Sequence, residues 1–190
     1  MGFKVCTYDI LDGEQYDLTD DAVWDPLLSR LRNGEFTVAF ISPPCGTFSR
    51  VRMLPGGPPV LRGTTGKERY GLPGLTPERG ELVRKHNLLA LRGIKAFQCM
   101  IDCGGVAVFE QPALRQGEVS MRRLDEFAQL LRTPGVQHHV KAQCPFGSAA
   151  EKLTSSKLTL CVTQEVSFSA VLPIGHWALM WWRTPGARSS

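Results

Sequence analysis

Residues 36–46 read FTVAFISPPCG, and the way this run ends decides the fold. Its first six residues are β-branched, aromatic or small and carry no charge, which predicts a buried strand. Pro43 and Pro44 cannot continue a sheet, because neither has an N–H to donate, and a residue before proline is held extended. The strand therefore stops, the chain turns stiffly, and Cys45 is left at the strand's carboxyl end. Gly46 then lets the backbone bend away. In an open α/β sheet that end is where ligands bind.

Working outward, residues 3–10 (FKVCTYDI) predict another buried strand that ends near Asp9. Between the two strands, Val23, Leu27, Leu28 and Leu31 recur at helical spacing behind a capping Thr19 or Asp20, and Asn33-Gly34 closes the helix. Pro26 fits such a helix only in its first turn. Residues 46–77 show no periodicity: five prolines and several glycines sit among Arg50, Arg52, Arg62 and Arg69, with Glu68 the one acid among those arginines. A stretch of this length without structure inside a compact domain is expected to be a lid, a binding loop or a disordered segment. Over residues 77–103, Leu82, Leu88, Leu89, Leu91, Ile94, Phe97 and Ile101 supply the apolar face of a helix that Gly104-Gly105 ends.

VAVFEQP (106–112) predicts a third strand, 117–135 an amphipathic helix, and 136–147 and 157–163 two further strands. In the tail, Trp177, Trp181 and Trp182 are read as core residues rather than a base-stacking platform. Strands alternating with helices predict an α/β fold: a mostly parallel sheet with helices on both faces, in one domain over 1–190.

The balance of 43% hydrophobic and 21% charged residues is that of a globular chain, not a disordered one. A net charge of +4 permits contact with nucleic acid without demanding it, and the clustered arginines are the stronger hint. No apolar run is long enough to span a bilayer, so no membrane partner is expected. The start, MGFKVCTYDI, lacks a signal peptide's apolar core, so an intracellular setting with reduced thiols is expected. The six cysteines, at 6, 45, 99, 103, 144 and 161, include no CxxC pair. Cys99 and Cys103 have no matching pair at zinc spacing, so no metal site is expected.

Two predicted strands end alike, one in Pro-Pro-Cys and one in Glu110-Gln111-Pro112. In a parallel sheet both ends open on one edge, which brings Cys45 and Glu110 together. A thiol nucleophile beside a carboxylic acid suits covalent catalysis with acid assistance. Asp9, at the end of another strand, stands where a carboxylate can bind ribose hydroxyls.

These motifs resemble those of the DNA cytosine-5 methyltransferases. SPPCGTFS looks like the family's nucleophile segment, a strand followed by Pro-Pro-Cys with a serine nearby. FEQP looks like its Glu-Asn-Val or Glu-Asn-Pro acid motif, with Gln111 in place of asparagine. TYDI and YDLTDD look like its two cofactor-contacting acidic positions. KAQCPFG falls where the family has Gln-x-Arg-x-Arg, and only Gln143 matches.

The resemblance implies a Rossmann-like class I methyltransferase sheet, S-adenosylmethionine as cofactor and DNA as partner. It implies catalytic roles for Cys45 and Glu110, cofactor contacts from Asp9, Asp17 and Pro43, and DNA contacts from Ser49, Arg50, Arg52 and Gln143. Two features depart from the family. No Phe-x-Gly-x-Gly loop precedes Asp9, so the chain starts at what looks like the family's second strand, and there is no room after Cys161 for its target-recognition domain. A sheet truncated at its first strand, weak cofactor binding, and association with a missing N-terminal segment or a larger mobile-element polyprotein are the corresponding expectations. Two other readings stand beside this one. The first is a catalytically inactive module of the same descent that binds nucleic acid or a partner protein. The second is an unrelated thiol enzyme pairing Cys45 with a histidine, which ranks last because no histidine lies in a recognisable motif.

Overall fold

A computed structural model of the chain describes residues 4–112, 114, 116–139, 156–161 and 180–183. The fold is mixed α/β. Five strands, β1 (Lys4–Cys6), β2 (Val38–Ile41), β3 (Val106–Pro112), β4 (Ser156–Cys161) and β5 (Met180–Arg183), form one sheet in the order β1-β5-β2-β3-β4. β2 and β3 are parallel, with Val38 opposite Val106 and Ile41 opposite Phe109. β5 runs antiparallel to both β1 and β2, and β4 antiparallel to β3.

The sheet is therefore not mostly parallel as expected: one of its four pairings is. Alternation of strands and helices constrains direction only where a crossover joins neighbouring strands, and an added strand can pair antiparallel on any open edge. β1, β2 and β3 still point the same way, since β1 and β2 each oppose the β5 between them. Their carboxyl ends share one edge of the sheet.

The helices follow local signals with some shortening. α1 (Asp21–Arg32) is capped by Asp20, whose Oδ1 accepts the Ala22 N–H at 2.8 Å. Pro26 lies in its second turn rather than its first; both Pro26 and Ala22 are exposed, so water reaches the carbonyl that the missing N–H leaves open. α2 (Pro77–Asp102) starts on Pro77 and ends before Gly104, whose φ of 72° needs glycine. The helix expected over 117–135 shrinks to a 3₁₀ turn at Met121–Arg123 and α3 (Asp125–Leu130), separated by the extended backbone of Leu124. Of the strand expected over 136–147, Val136 forms an isolated bridge, residues 137–139 are irregular, and residues 140–147, Gln143 included, lie outside the described residues.

Ala39 and Ile41 of β2 and Ala107 and Phe109 of β3 share one hydrophobic cluster with Trp24, Leu27 and Leu31 of α1, Phe97 and Met100 of α2, and Phe127 and Leu130 of α3. Phe109 meets the rings of Phe97 and Phe127 edge-on at 6.3 and 5.1 Å between centroids. α2 approaches the sheet closely at Gly93, where a Cβ would lie 3.0 Å from Ile41 Cγ2 and 3.2 Å from Phe109 Cε2 and Pro43 Cγ. All three described helices contribute to this one cluster through their apolar stripes. Among the described residues no helix is long and apolar enough to cross a membrane.

The stretch 46–77 is built rather than structureless. It contains 3₁₀ turns at Arg50–Met53 and Gly66–Tyr70, and it buries Phe48, Leu61 and Arg62.

Candidate active site at the strand ends

Because Ile41 faces Phe109 across the parallel pair, the next residues, Ser42 and Glu110, come side by side. Ser42 Oγ donates to Glu110 Oε2 at 2.8 Å. Burial pushes the Glu110 carboxyl above the ordinary carboxylate range, and the Ser42 hydrogen bond offsets only part of that rise. Three residues past Ser42, Cys45 is half-buried in a turn closed by Phe48 N–H donating to the Cys45 carbonyl at 2.8 Å. Its thiol is also pushed up, by burial first and by the Glu110 charge second. A thiol and a carboxyl in each other's field, both biased toward their protonated forms, occupy the carboxyl edge of the sheet.

The turn is held from behind by a buried arginine. Arg62 is 2% exposed and stacks on Phe48, its guanidinium carbon 3.6 Å from the ring centroid. Its Nε and Nη2 donate to Thr47 Oγ1 at 3.1 and 2.9 Å, Nη1 to Asn87 Oδ1 at 2.6 Å and the Arg69 carbonyl at 3.1 Å, and Nη2 also to the Val83 carbonyl at 3.3 Å. Every acceptor is neutral, and burial with the nearby Arg52 charge lowers the Arg62 pKa to about 9. Thr47 Oγ1 also lies 3.0 Å from His86 Nδ1 on α2. Burial, then Arg62 and Arg52, push the His86 pKa down to about 4, so its ring is neutral at ordinary pH.

His86 also lines a cavity of about 230 Å³ with Tyr8, Ile10, Tyr16, Asp17, Leu18, Thr19, Leu82, Lys85 and Leu89. The cavity sits between the segment after β1 and the first half of α2. Arg92 fixes that segment by donating to the carbonyls of Leu18 and Asp20 and pairing with Asp21.

Of the expected cofactor contacts, only Asp17 lines the cavity; its Oδ1 accepts the Thr19 N–H at 2.8 Å. Asp9 is buried and caps the turn after β1, accepting from Leu11 N–H at 2.9 Å, and Pro43 packs against Gly93. Neither lines the cavity. The expected DNA contacts all have internal partners where they are described. Ser49 caps the Arg50–Met53 turn, Arg50 pairs with Glu118 at 3.4 Å, and Arg52 donates to the carbonyls of Gly46 and Pro59 at 2.7 and 2.9 Å. Arg69 joins the stretch to Asp125 of α3.

Sequence reasoning missed Ser42, Thr47 and His86, and it placed Arg62 among the loop arginines that hint at nucleic acid, whereas Arg62 is buried behind the turn. One signal for His86 was present: it falls between Leu82 and Leu89 on one stripe of α2, where another apolar residue would suit a purely structural face. No cluster of His, Cys, Asp and Glu suited to a metal lies among the described residues. Comparison with protein-family models, curated proteins and solved structures finds no match to this chain.

Proposed function

We propose that the chain is an S-adenosylmethionine-dependent methyltransferase-like domain of the DNA cytosine-5 type, on a Rossmann-like class I sheet. The observation that carries this reading is the pairing at the strand ends: Cys45 after Pro-Pro, in the field of a Glu110 that bonds Ser42 on the adjacent parallel strand. Strand order supports it. In the doubly wound order 3-2-1-4-5-6, the second and fourth strands flank the first. If β1, β2 and β3 are the second, fourth and fifth, β5 stands in the first strand's place, running the other way.

The cavity fits part of a nucleoside cofactor. Apolar walls from Tyr8, Leu82 and Leu89 suit a flat base, and Asp17 adds an acceptor. Residues 9–25 hold seven acids and no lysine or arginine, a field that favours a sulfonium cation. When bound, S-adenosylmethionine supplies an electrophilic methyl group. The chain's own groups do the rest. A cytosine flipped from the stack receives the Cys45 thiolate at carbon 6, and the displaced electron pair makes carbon 5 nucleophilic. Glu110, which burial biases toward its protonated form, hydrogen-bonds ring nitrogen 3 when it carries the proton and so stabilises the adduct. After methylation, solvent water takes the carbon-5 proton as base, the C5–H electron pair becomes the C5–C6 double bond, and the C6–S bond breaks to release the Cys45 thiolate.

Trapping tests the proposal. A duplex with 5-fluorocytosine cannot lose fluorine in the last step, so with cofactor present a covalent adduct on Cys45 is expected. Cys45→Ser abolishes it, Glu110→Gln slows it, and Cys99→Ser leaves it intact. A second reading, an inactive binding module of the same descent, is favoured by the protonated bias of Cys45 and the internal partners of Arg50 and Arg52. DNA binding without an adduct decides for it.

A further inference from the structure

Thr47 Oγ1 stands within hydrogen-bond distance of three nitrogens: Arg62 Nε at 3.1 Å, Arg62 Nη2 at 2.9 Å and His86 Nδ1 at 3.0 Å. A hydroxyl has two lone pairs and one proton, and a guanidinium only donates. Arg62 therefore takes both lone pairs, and the Thr47 proton goes to His86 Nδ1. That leaves Nδ1 bare and puts the proton of the neutral ring on Nε2. The charged groups around the ring are Arg62 and Arg52 from the loop, Lys85 on its own helix and Asp17 across the cavity.

The same ring touches two places at once. It forms part of the cavity wall, and its Cε1 lies 3.5 Å from where a Cβ on Gly46 would sit, against the backbone next to Cys45. Thr47, 1% exposed, lies inside the turn that Phe48 N–H closes on the Cys45 carbonyl. A tightly packed relay of this kind shifts as a unit rather than yielding gradually.

We infer that His86 is a positioning residue for the Cys45 turn: fixed as the Nε2–H tautomer by Thr47, it joins cavity wall and cysteine turn into one unit, so that a nucleoside in the cavity changes the reactivity of Cys45. The ligand part rests on the cofactor reading of the cavity; the tautomer does not.

Two measurements on the full chain decide it. Nitrogen-15 shifts of the histidine rings at neutral pH are expected to show His86 with a bare Nδ1 in the wild type and Thr47→Ser, and an altered Nδ1 signal in Thr47→Val. A protonated Nδ1 in the wild type overturns the inference. Alkylation of Cys45 by iodoacetamide is then timed with and without adenosine as the cavity probe, binding being followed by calorimetry. Bound adenosine is expected to change the rate about fivefold or more in the wild type and Thr47→Ser. Thr47→Val, which removes the hydroxyl outside the cavity wall, should bind adenosine and lose that change. An equal change in every variant means direct shielding and overturns the inference, as does no change in the wild type with adenosine bound. If adenosine does not bind the wild type, the cofactor reading fails and the ligand-free rates decide the coupling. Thr47→Val and His86→Phe must then alkylate about fivefold faster than the wild type, well below each variant's melting temperature, and equal rates overturn the inference.

Discussion

Cys45 and Glu110 bias each other through charge. An ionised Glu110 disfavours the thiolate, so Glu110→Gln removes a negative neighbour and lowers the Cys45 pKa. The pH profile of Cys45 alkylation should shift to lower pH in Glu110→Gln, and an unmoved profile would show that the two groups do not share a site. Ser42→Ala acts in the opposite sense on Glu110, because the hydroxyl is what partly stabilises its ionised form. His86 makes a separate contribution. A base whose folded pKa is depressed to about 4, from about 6.5 unfolded, adds stability that is full above 6.5 and lost as pH falls toward 4. That difference is worth up to about 3 kcal/mol, reduced to about 2 kcal/mol because the ring is only partly buried. Stability measured by urea unfolding should fall more steeply across that window, as pH is lowered, in the wild type than in His86→Phe. Glu110, raised in the fold, runs the other way: its contribution is full below its unfolded pKa and is lost as pH rises through the folded one.

The decisive element is the stretch 46–77, which Arg62 fastens to α2 and Arg69 and Tyr70 fasten to α3. Arg62→Leu leaves Thr47, Asn87 Oδ1 and the carbonyls of Arg69 and Val83 without their donor. Lost charged hydrogen bonds of this kind cost about 3 kcal/mol in total once neighbours relax. The expected readout is early cleavage by trypsin at Arg52, Lys67 and Arg69, while Arg50→Ala, which removes a partly exposed ion pair, costs about 0.5 kcal/mol and leaves the rate of cleavage at those three sites unchanged. Gly93 sets the distance between α2 and the strand ends. Gly93→Ala forces a methyl onto Ile41, Phe109 and Pro43 and should cost about 1–3 kcal/mol by overpacking, measured by denaturant unfolding.

At the scale of the whole molecule, one cluster ties three helices to the parallel pair, so sheet and helices should unfold together. Phe109 is its centre, touching Phe97 of α2 and Phe127 of α3 from β3. Phe109→Ala should cost about 3–5 kcal/mol, and fluorescence and far-ultraviolet dichroism should report one coincident transition. Separate transitions would mean that α3 and the strand pair are independent units. The site depends on this assembly, because Ser42 and Glu110 meet only when β2 and β3 are in register.

β2, β3 and α2 were determined by the sequence alone, since each rests on signals a few residues long: an uncharged run stopped by prolines, a helical stripe started by Pro77 and stopped by Gly104. Those signals also put Cys45 and Glu110 at strand ends. Strand direction was not contained in them. β5 enters antiparallel between β1 and β2, and a four-residue strand reads the same in either direction. Nor were the partners of the arginines, whose charge suggested an outside ligand until packing turned Arg62 inward onto Phe48 and Thr47. Ser42 and Glu110 are 68 residues apart and Thr47 and His86 are 39 apart. Periodicity is a property of neighbours along the chain, whereas these contacts exist only because close packing of α2 on the sheet brings distant segments within hydrogen-bond reach.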